Sequence, residues 1–258
     1  MRGRYILLQL VAVAVFCALL LPSSAGQGDL SSGSCIPEPE RYADFNDYIV
    51  DLYDDLGLEG SLDYQVFEFA VIGRYNLMRK RLLSRDSILT VIDYTKPSTE
   101  ERFFVIDLEA RILLYRSLVA HGRNSGDDCA DSFSNVPGSL QTSLGFYVTG
   151  PDYVGVHGKA LKLEGVDNLF NGNAEERCIV VHGAWYCTED FVEEYGRLGR
   201  SWGCPVLPPD VSEEIIDTIK RGTALFAYFK DDDYLTHSEF LNIDNAVLEF
   251  RKDRVDRG

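Results

Sequence analysis

Ile179-Val180-Val181-His182-Gly183, followed after a loop by Arg200-Ser201-Trp202-Gly203-Cys204-Pro205, brings a histidine and a cysteine into one setting. The apolar run reads as a buried strand, and a histidine at its end is held rigidly enough to serve as a base. A thiol is a weak nucleophile until a base or a positive environment favours the thiolate. Gly203 lets the chain turn tightly and leaves backbone N–H groups free to face a reacting carbonyl. Pro205 stiffens the turn and forbids a regular helix start at the cysteine. Each residue also has a plainer reading. Cys204 can be a loop cysteine in a disulfide, His182 a satisfied core residue, Ser201 an ordinary turn serine, and Trp202 a core residue rather than a substrate wall. His121-Gly122 and His157-Gly158 repeat the His-Gly pair at the ends of apolar runs and are candidates to line a cleft. His237 lies in a polar stretch and is given no role.

Outward from this stretch, the period of the pattern changes along the chain. Asp44 to Leu56 carries Phe45, Ile49, Leu52 and Leu56 at helical spacing, with Gly57 as a stop. A second helix is expected over Leu62–Lys80, capped by Ser61, with Gly73 as its weak point. Ser87–Tyr94, Arg102–Leu108 and Arg111–Ala120 then read as strands, the last two joined tightly at Glu109-Ala110. Leu144–Thr149, Ala160–Glu164, Cys178–His182 and Thr223–Phe229 are further strands. Asp190–Tyr195 and Val211–Lys220 are short helices, and the charged tail after Phe250 is expected to fray. Helices first, then many strands with short late helices, predict a mainly β fold of α+β type with an antiparallel sandwich or barrel core.

Arg2 and Arg4, the apolar run Ile6–Leu21 and the small residues Pro22-Ser23-Ser24-Ala25 have the pattern of a secretory signal over residues 1–25; an uncleaved anchor is the alternative. Residues 26–42 read as a mobile lead-in, 43–250 as one domain whose first part, to about residue 82, is helical, and 251–258 as the tail. No second apolar stretch is long enough to span a bilayer, so no stable membrane insertion is expected after cleavage. The net charge of −16 gives no electrostatic footprint for nucleic acid. Cysteine spacing suits no structural metal site. In an exported chain, parity predicts two disulfides among Cys35, Cys129, Cys178 and Cys187, with Cys204 free. The preferred pairing is Cys178–Cys187, closing a short loop around His182, with Cys35–Cys129.

At these residues the chain resembles the murein L,D-transpeptidase catalytic domain family (YkuD-like L,D-transpeptidases). The superfamily motif is His-Gly, then Ser/Thr-x-Gly-Cys after a loop; here these are His182-Gly183 and Ser201-Trp202-Gly203-Cys204. Val119-Ala120-His121-Gly122, Thr142-Ser143-Leu144-Gly145-Phe146-Tyr147, Gly155-Val156-His157-Gly158 and Tyr195-Gly196-Arg197-Leu198-Gly199-Arg200 match further landmarks, and the likeness covers roughly Phe45 to Tyr234. Trp202 stands where the superfamily often has histidine. Pro205-Val206 replaces Ile/Val-Arg, which leaves recognition of a substrate carboxylate unassigned, with Arg200 and Arg177 as candidate substitutes.

The resemblance implies an exported enzyme of the periplasm or cell envelope, probed by carbapenem-type inhibitors and acting as a monomer on peptidoglycan stem peptides. Cys204 would be acylated, with His182 as base, Gly183 orienting it through its carbonyl, the backbone N–H groups of Gly203 and Cys204 facing the reacting carbonyl to stabilise the oxyanion, and Ser201 completing the site. Trp202, Arg200, His157, His121 and Tyr186 would line the substrate cleft. No metal or organic cofactor is implied. A carboxypeptidase that only hydrolyses, and a non-catalytic module that binds stem peptides, are the rival readings.

Overall fold

A computed structural model describes residues 42–156 and 158–257. The reading of residues 1–25 as a signal, and of most of the lead-in, falls outside the described residues. In chain order the elements are α1 (Ala43–Asp55), α2 (Tyr64–Arg79), β1 (Ile88–Asp93), β2 (Phe103–Asp107), β3 (Ile112–Ser117), β4 (Gly145–Gly155), β5 (Gly158–Gly165), α3 (Asn168–Asn171), β6 (Val180–Gly183), α4 (Glu189–Tyr195), β7 (Val206–Leu207), α5 (Pro209–Ile219), β8 (Ala224–Tyr228), α6 (Asp232–His237), a 3-10 turn (Glu239–Leu241) and α7 (Ile243–Arg257).

The strands form one sheet in the order β3-β2-β1-β8-β4-β5-β6-β7. Its continuous apolar strands separate two cores, because successive side chains point to opposite faces. Leu89 and Val91 of β1, Phe104 and Ile106 of β2, and Phe226 of β8 face a layer built from α1, α2 and α7. Their neighbours Ile88, Ile92, Phe103, Val105 and Leu225 face the barrel interior, which Ile215, Ile216 and Ile219 of α5 plug. The α+β expectation stands, with a refinement. Most pairings are antiparallel, but β1 and β8 run parallel, as do β6 and β7. The two edges of the sheet meet just beyond β3: Ala120 and Val206 exchange backbone hydrogen bonds of 2.8 and 3.2 Å, which nearly closes the barrel.

Three expectations are corrected. The N-cap of α2 is Asp63, whose carboxylate accepts from the Gln65 N–H at 2.8 Å, so the helix begins later than Ser61 implied. Gly73 does not weaken α2; it makes room for the Phe146 ring, whose Cζ would lie 1.8 Å from a Cβ at that position. The charged tail is not frayed. It is the end of α7, pinned by Arg251 to Asp44 at 2.8 Å and by Arg257 to Asp86 at 2.5 Å.

Candidate active site

His182 sits near the end of β6, in register with Ala160 of β5 on one side and Val206 of β7 on the other. It is buried, and its Nδ1 lies 3.1 Å from the Gly183 carbonyl. A carbonyl can only accept, so Nδ1 carries the proton and Nε2 is left with the lone pair that a base needs. Gly183 must lack a side chain, because a Cβ there would meet Ser212 Oγ at 2.4 Å, where α5 packs against the strand.

Cys204 stands two residues before Val206, the register partner of His182. Its half-buried thiol lies against the main chain entering β6: Sγ donates to the Cys178 carbonyl at 3.7 Å, and the Val180 N–H faces the sulfur. Burial pushes the thiol pKa up; the Val180 N–H and the positive charge of Arg177 work against that rise. The resting Cys204 side chain is therefore held toward the protonated thiol.

The turn carrying Cys204 is braced from within. Ser201 Oγ donates to the Cys204 carbonyl at 2.7 Å and accepts from the Gly203 N–H at 3.0 Å. This corrects the expectation that both N–H groups face a reacting carbonyl, since the Gly203 N–H is occupied. The Cys204 N–H has no hydrogen-bond partner among the described residues. Ser201 thus serves as the brace of the turn. Gly203, at φ +125°, needs to be glycine: a Cβ would approach the Gln141 carbonyl oxygen to 2.6 Å.

The remaining candidates separate clearly. Tyr186 is half-buried beside the thiol, and its hydroxyl pKa is pushed up to about 12 by burial and then by Cys204. Trp202 is 74% exposed and is not a core residue. His121 does not line a cleft: it is buried, and its Nδ1 accepts from Arg102 at 2.7 Å. Burial, then the Arg102 charge, lowers its pKa to about 4, so it is neutral. Its contribution is through the main chain, where its carbonyl accepts from the Ser201 N–H at 2.9 Å. Arg200 is committed elsewhere, to the Gly126 carbonyl and the Asp127 carboxylate, both at 2.9 Å. His157 lies outside the described residues.

Arg177 is the arginine at the thiol. Its guanidinium donates to the carbonyls of Ser134 (2.6 Å) and Gln141 and to the hydroxyls of Ser139 (3.2 Å) and Ser143, clamping the 134–143 loop against Gly203. Its importance was hard to see in the sequence, because its partners are serines and carbonyls of a loop more than thirty residues away. Replacing Arg177 by methionine is expected to raise the Cys204 pKa further. Thiol alkylation at neutral pH should slow severalfold and its midpoint move to higher pH, while Arg177→Lys, which keeps the charge, should recover most of the rate. Unchanged pH profiles in both variants would remove Arg177 from this role.

The expected Cys178–Cys187 disulfide is absent. Cys187 is buried, with Sγ donating to the Val206 carbonyl at 3.1 Å and its pKa pushed up to about 12 by burial. Cys178 is exposed on the other flank of the site. The Cys35–Cys129 pairing depends on Cys35, which lies outside the described residues; Cys129 is a free, exposed thiol. Cys178 occupies the left-handed position of a turn in which its N–H bonds to Glu175 and the Ile179 N–H to Ala174. A non-glycine residue there costs about 1 kcal/mol.

The profile of the L,D-transpeptidase catalytic domain matches residues 58–228. Curated proteins give no match. Similar solved structures include an L,D-transpeptidase from Mycobacterium smegmatis, at 15% identity over 55% of this chain and 59% of that one, with a TM-score of 0.35. An L,D-transpeptidase in complex with imipenem gives 15% identity over the same 55% and 59%, with a TM-score of 0.34. An L,D-transpeptidase (residues 123-326) from Xylanimonas cellulosilytica gives 15% identity over 74% of this chain and 93% of that one, with a TM-score of 0.33. The match thus spans 59% of the first two chains, and likenesses this distant carry no argument beyond the profile. The profile covers well over half of the chain and includes both His182-Gly183 and Ser201–Cys204, so the chain belongs to the L,D-transpeptidase catalytic domain family.

Proposed function

We propose that this chain is an exported, cysteine-dependent L,D-transpeptidase acting on peptidoglycan stem peptides. The observation that carries the reading is the Gly183 carbonyl holding His182 Nδ1, which leaves Nε2 as a base on the strand whose Val180 N–H faces the Cys204 sulfur. His182 takes the thiol proton as sulfur attacks the carbonyl of an L,D peptide bond in a donor stem. The Cys204 N–H supports the oxyanion. The tetrahedral species collapses to a thioester, and protonated His182 gives its proton to the departing amine of the terminal D-residue. An acceptor amine then attacks the thioester, His182 takes the proton that this amine loses, and sulfur leaves to recover it. Export is supported by the basic and apolar N-terminal pattern of Arg2 to Ala25.

Incubation of the chain with a tetrapeptide stem and an amine acceptor, followed by mass analysis, tests the proposal. Loss of the terminal D-residue with gain of the acceptor is expected; loss without gain identifies a hydrolase instead. A carbapenem should add its mass to Cys204. His182→Ala should reduce both reactions at least about a hundredfold, the usual reach of a general base. Absence of product and of adduct in the wild type would overturn the enzyme reading.

A further inference from the structure

We propose that Cys178 is a redox partner of Cys204: oxidation by a peroxide closes a Cys178–Cys204 disulfide that reversibly caps the nucleophile. The inference rests on the approach of the Cys204 sulfur to the main chain of Cys178 and not on turnover. The Cys204 sulfur already lies 3.7 Å from the carbonyl of Cys178 itself, on the flank where the chain enters β6. The two thiols differ in access. Cys178 is exposed and borders a cavity of about 570 Å³ that Tyr153, Lys162 and Glu175 also line, whereas Cys204 is half-buried.

The backbone explains why the Cys178 side chain is where it is. Cys178 takes φ +55°, in a turn closed by its own N–H to Glu175 at 3.0 Å and by the Ile179 N–H to Ala174 at 2.9 Å. That position favours glycine, so the thiol is carried in a conformation that most side chains avoid. The nearest rival partner is Cys187, which packs in the same small core that Cys204 borders. Its thiol is sealed from solvent and donates to the Val206 carbonyl at 3.1 Å. Oxidation follows exposure and thiolate character, so peroxide meets Cys178 first.

The chemistry balances in two steps. The Cys178 thiolate attacks the O–O bond of hydrogen peroxide; an S–O bond forms, the O–O bond breaks, and the released hydroxide takes a proton to leave as water. Sulfur has lost two electrons and is a sulfenic acid. The Cys204 sulfur then attacks that sulfur; the S–S bond forms, the S–O bond breaks, and hydroxide leaves as a second water with the Cys204 proton. Two thiols and one peroxide have become a disulfide and two waters, and an external dithiol reverses the change.

The full chain is treated with hydrogen peroxide, alkylated, digested with trypsin and mapped by mass, with and without prior dithiothreitol. Cleavage after Arg177, Arg197, Arg200 and Lys220 puts Cys178 and Cys187 in one peptide and Cys204 in another. The expected result is a cross-link between these peptides with loss of two hydrogens, removed by dithiothreitol, together with loss of Cys204 alkylation. Cys178→Gly, which suits the turn and preserves the fold, should abolish the cross-link and leave Cys204 either alkylatable or carrying oxygen. Cys178→Ser should behave in the same way. A cross-link that survives in both variants assigns the bond to Cys187 and overturns the proposal. Separate oxygen additions to Cys178 and Cys204 in the wild type, with no cross-link, overturn it too. Since every readout is the mass of a cysteine peptide of the chain itself and none needs turnover, failure here is distinguishable from failure of the transpeptidase reading, which is judged by stem-peptide products.

Discussion

Cys204→Ser is expected to lower turnover of a stem peptide by at least about a thousandfold and to eliminate the carbapenem adduct. The serine hydroxyl is close in size and can keep the contact with the Cys178 carbonyl, so shape is preserved while nucleophilicity is lost. The barrier lies in deprotonation. Burial already pushes the thiol pKa up, and only Arg177 and the Val180 N–H oppose it. An alcohol in the same place is far harder to ionise, and the single base His182 cannot make up the difference. Stability should change little, because the contact exchanged is a weak sulfur hydrogen bond. Parallel thermal melts and intact-mass spectra check both halves. Turnover comparable to wild type would remove Cys204 as nucleophile; a collapsed melt would make the loss structural, and Cys204→Ala would then have to be read instead.

Gly73→Ala should destabilise the fold by about 2 kcal/mol, against the usual sense of such a change in a helix. Alanine in a helix interior is worth about 1 kcal/mol over glycine. Here that gain is overrun, because the new methyl would meet Phe146 ring atoms at 1.8 to 2.4 Å. The ring has little room to retreat. It stacks on Phe226 at 4.2 Å between ring centroids and also contacts Phe240 at 5.8 Å. Urea unfolding followed by fluorescence should show a lower midpoint with an unchanged slope. A midpoint at or above wild type would mean that α2 does not rest on β4 in this way.

Much of this architecture could be read from local pattern. The strands β1, β2 and β8 announce themselves as apolar runs because both of their faces are covered, and α1 shows its stripe of Phe45, Ile49 and Leu52. What the pattern hid depends on distant partners. The parallel pairing of β1 with β8 joins segments from opposite ends of the domain. The two-residue strand β7 is too short to carry a period. The end of α7 looks like a solvated charge run until Asp44 and Asp86 are found waiting for Arg251 and Arg257. At the site, the His-Gly and Gly-Cys pairs are legible because their chemistry is local. The occupation of the Gly203 N–H by Ser201 is a local bond of a serine to the backbone two residues on, but the burial of His121 and the approach of Arg177 are set by how loops cross, and no spacing rule reports those.

The bridge between Ala120 and Val206 joins the two edges of the sheet, and Val206 lies only two residues from Cys204. Such a contact between segments far apart in sequence carries a large loop-closure cost and belongs late in folding. Before that seam shuts, Ser201 lacks the His121 carbonyl, and β7 is paired with β6 alone. Under the proposed mechanism the turn that carries Cys204 is braced last, so the rate at which the thiol reacts with an acylating reagent would report complete assembly.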